Sequence, residues 1–243
     1  MLPPLKRLLT SVFLLGAVSA STQLSAQEWD LATELELGAI FTSGNTNDEN
    51  IRFRGRFDAI RDDWSYRFSM DGFRSSKDDE LAAQRLYTVG SAMYNFDPDT
   101  FVQGRVAHED DRFSGYEGQT DASVSYGQVV LRDIDNMSLR YTVGAGVRVS
   151  RAEAAGGDDF EEAIIRLSTD YSWDISDTAR FNQILSVDAG ERSSIGRSES
   201  SIETDIMESL SMKFTINVKH QTEVPAGREK TDTEASITLL LRF

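Results

Sequence analysis

Apolar and polar residues alternate along most of this chain with a period of two. The final stretch, KTDTEASITLLLRF, shows the pattern most clearly. In an extended strand, Ala235, Ile237, Leu239, Leu241 and Phe243 lie on one face, and the residues between them lie on the other. No convincing helical period occurs after residue 26. Such a chain is expected to form a sheet with one apolar and one polar face.

The alternation recurs in twelve segments, and each of them predicts one strand. The segments are 29–43, 50–59, 64–73, 84–96, 101–109, 121–130, 138–150, 163–175, 179–190, 200–207, 210–220 and 230–243. The polar faces of the first two segments carry acids and bases respectively. Cross-strand pairs of this kind contribute about 0.2–1 kcal/mol each, so these two strands are predicted neighbours.

Two kinds of connection alternate along the chain between the predicted strands. The tight connections are 61–63, 97–100, 132–136, 176–178 and 208–209. The longer ones, rich in glycine and charge, are SGNTND, SSKDDELAA, DDRFSGYEGQT, AEAAGGDDFEE, ERSSIGRSE and QTEVPAGREKT. Short turns at one end, long loops at the other and an even strand number are typical of outer-membrane barrels. The sequence therefore predicts an all-β fold, a closed antiparallel transmembrane β-barrel of about 12 strands with short periplasmic turns and longer extracellular loops.

Aromatic residues cluster at the ends of the strands that are joined by short turns. They are Trp29, Trp64, Tyr94, Phe96, Trp173, Phe181 and Phe243. This distribution predicts a girdle at one membrane interface, where amphipathic rings prefer to lie. An open sheet edge in lipid leaves backbone groups unsatisfied, so we expect the last strand to pair with the first. The apolar residues Ile237, Leu239, Leu241 and Phe243 also resemble the terminal signal recognised by the outer-membrane assembly machinery, which is therefore a predicted partner.

The N-terminal segment has the layout of a secretory signal peptide. A basic start precedes an apolar run that ends at Ala20, and another small residue stands at Ala26. The run is shorter than the about 20 apolar residues that a transmembrane helix needs. We predict a signal peptide over residues 1–26, with cleavage after Ala20 as the alternative, and one barrel domain over residues 27–243.

Charge and cysteine content exclude several kinds of function. The chain has 25 Lys and Arg against 40 Asp and Glu, a net charge of −15. Nucleic acid is excluded as a partner because its phosphates need basic residues to displace counterions. The absence of cysteine excludes disulfides, thiol nucleophiles and thiolate metal sites. We expect a location in the bacterial outer membrane, with its lipid and lipopolysaccharide as partners.

The polar strand faces place arginines beside acids in the predicted barrel interior. The predicted lumen-lining residues are Glu34, Glu36, Arg52, Arg54, Arg56, Arg67, Arg140, Arg148, Arg166 and Asp170. A lumen of this composition is hydrated or bridged by ion pairs. Eight-stranded barrels are filled by side chains and sixteen-stranded ones leave a channel, so a barrel of twelve strands is intermediate.

Residues for catalysis or metal binding are scarce in this chain. Its two histidines, His108 and His220, are predicted on opposite sides of the barrel, too far apart to share a site. His108, Asp110 and Asp111 could form an acid–base set, but we favour a solvated acidic loop base. The segments NTNDEN and GGDDFEE offer oxygen ligands of the kind Ca²⁺ takes, without the spacing of an EF-hand. We therefore predict no catalytic residues, metal or cofactor.

Four segments carry motifs beyond the general barrel pattern. They are LGAIFTSGNT at 37–46, DRFSGYEG at 111–118, ERSSIGRSESSIETDIMESLSMKFTINVKH at 191–220 and VPAGREKTDT at 224–233. On these segments the chain resembles the bacterial YdiY-like family of salt-induced outer-membrane proteins. The resemblance covers essentially the whole chain after the signal peptide and implies an outer-membrane β-barrel. The shared domain has no established function, so the resemblance supplies no catalytic residues. The glycines of the first and last motifs, Gly44 and Gly227, are predicted to adopt positive φ.

Two classes of function agree with these observations. The first is a non-enzymatic barrel that has a structural or stress-related role or conducts small solutes through a polar, charge-lined lumen. The alternative is a barrel enzyme at the outer surface that acts on lipid or peptide, against which the scarcity of histidine counts. A soluble exported β-protein would need its apolar face to be buried elsewhere.

Overall fold

A computed structural model describes residues 29–42, 48–77, 80–111, 116–152, 159–224 and 227–243. Within these residues the chain forms twelve strands. They are β1 (Asp30–Thr42), β2 (Asp48–Arg61), β3 (Trp64–Lys77), β4 (Glu80–Asn95), β5 (Thr100–Asp111), β6 (Tyr116–Ile134), β7 (Met137–Ala152), β8 (Phe160–Ser176), β9 (Ala179–Gly190), β10 (Ser194–Met207), β11 (Leu210–Gln221) and β12 (Thr231–Arg242). The same residues contain no helix that is long and apolar enough to cross a membrane. The predicted signal peptide lies outside them.

The strands form one antiparallel sheet that closes on itself. Each strand pairs with its neighbours in chain order, and β12 pairs with β1. At the end of the chain, the Phe243 amide donates to the Thr33 carbonyl at 3.0 Å, and the Thr33 amide donates to the Phe243 carbonyl at 3.1 Å. The predicted closed barrel is confirmed, and its terminal strand supplies the closing hydrogen bonds.

The two ends of the barrel differ in their connections. At the short-turn end, the strands are joined by residues 62–63, 96–99, 135–136, 177–178 and 208–209. At the opposite end, called the loop end, three connections are shorter than the sequence predicts. Most of SSKDDELAA belongs to β3 and β4, most of DDRFSGYEGQT to β5 and β6, and most of ERSSIGRSE to β10. The prediction was wrong there because inward-facing charges such as Arg197 and Glu199 look like loop residues in the sequence.

Positive φ angles shape the tight turns. Asp62, Asp135 and Asn136 have φ values of 53°, 53° and 61°. Two-residue hairpin turns that match the twist of their strands require positive φ, which Asp and Asn tolerate better than most residues. At the loop end Gly227 has a φ of 85°, which confirms the prediction for this glycine. Gly44 lies outside the described residues.

Asp97 organises the four-residue turn between β4 and β5. Its carboxylate accepts hydrogen bonds from the Thr100 hydroxyl at 2.6 Å and from the Asp99 and Thr100 amides at 2.8 and 2.9 Å. The Thr100 hydroxyl, followed by the Asp99 amide, lowers the pKa of Asp97 below its usual value. The contribution of this turn to stability is therefore present above the ordinary aspartate pKa and is lost as pH falls through the lowered one.

The barrel has its polar side chains inside and its apolar side chains outside, the reverse of a soluble protein. Ser150, Asp188 and Ser211 are fully buried on its inner side. On its outer side, Val124 and Ile237 are 63% and 61% exposed, as are many other Leu, Ile, Val and Phe side chains. An apolar exterior around a polar interior is the arrangement of membrane-spanning β-barrels.

Aromatic rings form a row at the short-turn end. Trp29, Tyr66, Trp64 and Tyr94 follow one another with ring centroids 6.1, 5.9 and 5.0 Å apart, and Phe96 lies 5.5 Å from Tyr94. The row runs from β1 to β4 on the outer surface. It lies where the sequence predicts an interface girdle.

The seam between β1 and β12 is the shortest strand pairing among the described residues. Glu34–Leu37 pairs with Leu239–Arg242 over four residue pairs, whereas β1 and β2 pair over thirteen. Gly38 follows directly on the seam, and a Cβ atom there would lie 2.7 Å from the Ile237 carbonyl oxygen. The missing side chain allows the two strands to approach each other at this point.

We expect Leu167→Arg to destabilise the barrel in lipid by about 2–4 kcal/mol. Leu167 lies in the middle of β8 and is 50% exposed on the outer face, where an arginine would enter the bilayer core. On the surface of a soluble protein the same change would be close to neutral. Urea unfolding in lipid vesicles measures the difference. Glu161→Arg, at the loop end of the same outer face, is the control, and equal stability of both variants would contradict a lipid-facing wall.

Gly38→Ala should destabilise the seam by about 1–3 kcal/mol because the added methyl group meets a backbone carbonyl that cannot turn away. Gly104→Ala is the matched control, since a Cβ atom at Gly104 has no neighbour within 4 Å. Its effect should stay within about 0.5 kcal/mol. The heat-induced gel shift and urea midpoint of each variant provide the comparison. An unaltered midpoint for Gly38→Ala would show that the seam tolerates separation.

Candidate functional site

A cavity of about 730 Å³ occupies the barrel interior. Its lining extends from Arg67 and Arg140 at the short-turn end to Asp111 and Asp232 at the loop end. The inward face of nearly every strand contributes charged or polar side chains to it, because the period-two alternation sends the apolar residues outward. The cavity wall therefore extends along the length of the barrel.

Nine of the ten predicted lumen residues lie on the wall of this cavity. They are Glu34, Glu36, Arg52, Arg54, Arg56, Arg67, Arg140, Arg166 and Asp170. Arg148 lies beside the cavity near the loop end and is 2% exposed. It donates to Glu162 at 3.2 Å and to the carbonyl oxygens of Ser193 and Asp188 at 3.0 and 3.2 Å.

Some ion pairs of the lumen connect neighbouring strands. Arg140 on β7 lies opposite Asp170 on β8 and binds it at 2.5 Å. Arg166 on β8 binds Asp188 on β9 at 2.6 Å. The first pair is about one-third exposed, so it contributes little to stability, on the order of 0–1 kcal/mol. These pairs follow the wall and leave the centre of the lumen free.

A denser cluster gathers around Asp71 on β3. Arg52 and Arg54 of β2 donate to the same carboxylate oxygen of Asp71, at 2.7 and 2.9 Å. Arg85 of β4 reaches the second oxygen at 3.1 Å. Three guanidinium groups around one carboxylate need further acids, and these come from more distant strands.

Two ion pairs from this cluster cross the lumen. Arg54 on β2 makes a bidentate pair with Glu199 on β10, with both nitrogen–oxygen distances at 2.7 Å. Arg85 on β4 binds Glu234 on β12 at 3.1 Å. In each case the two strands are four places apart around the sheet. The side chains therefore span part of the interior instead of following the wall.

Glu109 makes the widest crossing. Its Oε1 atom accepts a hydrogen bond from Lys219 Nζ at 2.6 Å, and its Oε2 atom accepts one from Arg197 Nη2 at 2.8 Å. Glu109 lies on β5 and Lys219 on β11, which are six places apart in either direction around the barrel. The pair therefore joins opposite walls, and the Glu109 carboxylate is buried between them.

Several members of these crossings are absent from the lumen residues that the sequence predicts. Arg85, Glu109, Arg197, Glu199 and Lys219 are the missed residues. Arg197 and Glu199 fall in a predicted loop, and Glu109 is the last residue of the predicted strand 101–109, next to a predicted acidic loop base. Their position in the alternating pattern could have identified them. Each lies an even number of residues from another inward-facing residue of the same strand, so its side chain points to the same face.

The candidate catalytic residues are not assembled into a site. His108 and His220 lie on the outer face of β5 and β11, and each ring bonds a threonine hydroxyl of the next strand at 2.8 Å. Asp110 is exposed beside His108, whereas Asp111 lines the cavity on the inner face. The barrel wall therefore separates His108 from Asp111.

Metal binding has no support in the described part of the chain. Among those residues, no group of three or more His, Cys, Asp or Glu could hold a metal ion. Much of the acidic segments NTNDEN and GGDDFEE lies outside them. Glu162, at the end of the second segment, accepts hydrogen bonds from the amides of Arg192 and Ser193 at 2.8 and 3.3 Å.

Comparisons with solved structures find membrane barrels. The NanC porin superimposes with a TM-score of 0.54 at 9% sequence identity, covering 87% of this chain and 98% of that one. The KdgM porin gives a TM-score of 0.48 at 9% identity, covering 87% and 99%. At such low identity the likeness to the NanC porin shows the fold alone.

Sequence comparisons identify the family. The uncharacterized protein YdiY of Escherichia coli (strain K12) is 24% identical over 206 residues, which cover 84% of this chain and 80% of that protein. This match confirms the predicted resemblance to YdiY-like proteins. The family described as "Protein of unknown function, DUF481" matches residues 35–243. Because this match spans the barrel from β1 to the last residue, the chain belongs to the DUF481 family.

Proposed function

We propose that this protein is a narrow channel of the bacterial outer membrane that passes small hydrophilic solutes and ions. The observation that carries this proposal is the polar cavity, whose lining reaches both ends of the barrel. A hydrated path inside a barrel with an apolar exterior would let ions and polar solutes cross a membrane, whose lipid otherwise excludes them. The porin fold supports the same function.

The cross-lumen ion pairs limit the size of the solute. Glu109–Lys219, Arg54–Glu199 and Arg85–Glu234 occupy space through which a larger molecule would have to pass. Twelve strands also enclose less space than the sixteen or more of a wide porin. The conductance should therefore be small, and water and small ions are the favoured cargo.

The orientation follows from the connections. Outer-membrane barrels turn their short connections toward the periplasm and their longer loops outward. We accordingly assign the aromatic row at Trp64 and both ends of the barrel sequence to the periplasmic side. Lipid and lipopolysaccharide would then surround the outer half of the wall.

Two other functions have less support. A closed barrel with a structural or stress-related role is favoured by one observation, the Glu109–Lys219 bridge between opposite walls. An enzyme acting on lipid or peptide would need a nucleophile and a base within reach of each other. The positions of His108 and His220, on opposite sides of the outer wall, argue against it.

Residues 27–243 refolded into lipid should give a heat-modifiable gel band and stable steps of current across a planar bilayer. We expect steps well below those of a sixteen-stranded porin, since the lumen is narrower and crossed by side chains. The same sample denatured by heat before addition is the control. A folded barrel that stays silent at every voltage would contradict the channel and support the structural role.

A further inference from the structure

Glu109 lies at the place where the lumen is spanned from wall to wall. Its carboxylate comes from β5, and its two cationic partners, Arg197 and Lys219, come from β10 and β11. These strands are five and six places away around the barrel. An ion that travels along the barrel must therefore pass beside this group of three charges.

The two cations rely strongly on Glu109 for neutralisation. Among the described residues, Glu109 is the one acid with an oxygen within 4.0 Å of the Lys219 ammonium group. Arg197 has a second acid, Asp188, at 3.3 Å, but Asp188 also binds Arg166 at the shorter distance of 2.6 Å. Loss of the Glu109 carboxylate would thus leave positive charge beside the path.

Among the described residues, one acid close to this group is already engaged by another cation. Arg197 lies over the ring of Tyr87, 5.3 Å from its centroid, and Arg105 donates to the Tyr87 hydroxyl and to Asp121. Asp121 is therefore already paired with Arg105. Because an excess of one sign in a narrow, low-dielectric passage concentrates ions of the other sign, a single charge here has a large effect.

We propose that Glu109 is the residue that determines the ion selectivity of the lumen. With its carboxylate in place, much of the positive charge of Arg197 and Lys219 is offset, and the passage discriminates little between small inorganic cations and anions. Without it, the passage prefers anions. This inference rests on the proposed channel function and assigns that function to small inorganic ions of both signs.

Glu109→Gln tests the proposal in planar bilayers with a gradient of KCl. The permeability of chloride relative to potassium should rise about threefold or more, as one unit charge beside a narrow path produces. Lys219→Met should shift the ratio in the opposite direction. That variant keeps Glu109 paired with Arg197 and therefore remains informative if the first variant folds poorly.

The double variant Glu109→Gln/Lys219→Met distinguishes the effect of charge on selectivity from the effect of steric obstruction on conductance. It removes one charge of each sign, so its selectivity should return toward that of the wild type. Its single-channel conductance should increase because the ion pair between opposite walls is absent. A double variant as anion-selective as Glu109→Gln alone would overturn the assignment.

Asp170→Asn is the matched control. It also removes one carboxylate from the lumen, but Asp170 pairs with Arg140 on the adjacent strand, and both side chains are about one-third exposed. Solvent screens charges in such a position, so the permeability ratio should change less than in Glu109→Gln. An equal change in both variants would show that Glu109 has no special role.

The outcomes distinguish this inference from the proposed function. If the wild type conducts and Glu109→Gln leaves its selectivity unchanged, the inference is wrong and the channel stands. If the wild type is silent and the double variant conducts, the barrier lies at this bridge, and the channel function of the wild type is wrong. Silence of every folded variant overturns both.

Discussion

The hydrocarbon core of a membrane offers backbone N–H and C=O groups no water, so each must find its partner within the protein. In this chain the hydrogen bonds between β1 and β12 meet that requirement for a sheet that would otherwise have two open edges. Closure also decides where the side chains lie. Once the sheet is a cylinder, one face of every strand meets lipid and the other meets a confined interior. The outward position of Leu167 and the inward position of Glu109 both follow from it.

The confined interior explains the density of its ion pairs. Charged groups taken out of bulk water need close partners, and breaking a buried pair is costly because one charge remains uncompensated. Arg52, Arg54 and Arg85 converge on Asp71, and the remaining charges are matched by Glu199 and Glu234 from strands that are not adjacent. The same contacts that keep these charges satisfied also narrow the passage. The stability of this barrel and the proposed passage through it therefore depend on the same set of side chains.

The period-two alternation predicted all twelve strands, because face selection depends only on local sequence. The cost of an open sheet edge in lipid predicted the closure by the last strand. The alternation failed where local sequence is ambiguous. Arg197 and Glu199 are charged and flanked by serine, so β10 was predicted to begin six residues too late. The partnership of Glu109 with Lys219 could not be predicted, because it depends on the distance between opposite walls and not on neighbouring strands. The DUF481 family has no known function, so the proposed function rests on the side chains of the lumen.

The short seam between β1 and β12 also bears on how the barrel comes apart. Four residue pairs and the two hydrogen bonds between Thr33 and Phe243 hold it, whereas β1 and β2 are joined by thirteen residue pairs. Fewer hydrogen bonds must therefore break to part β1 from β12 than to part β1 from β2. Local opening begins where the free energy of opening is lowest. The first species to form during unfolding is then an open twelve-stranded sheet. It keeps the pairing within its hairpins and lacks only the pairing between β1 and β12. Amide hydrogens of β1 and β12 would exchange with solvent before those of the hairpins opposite the seam.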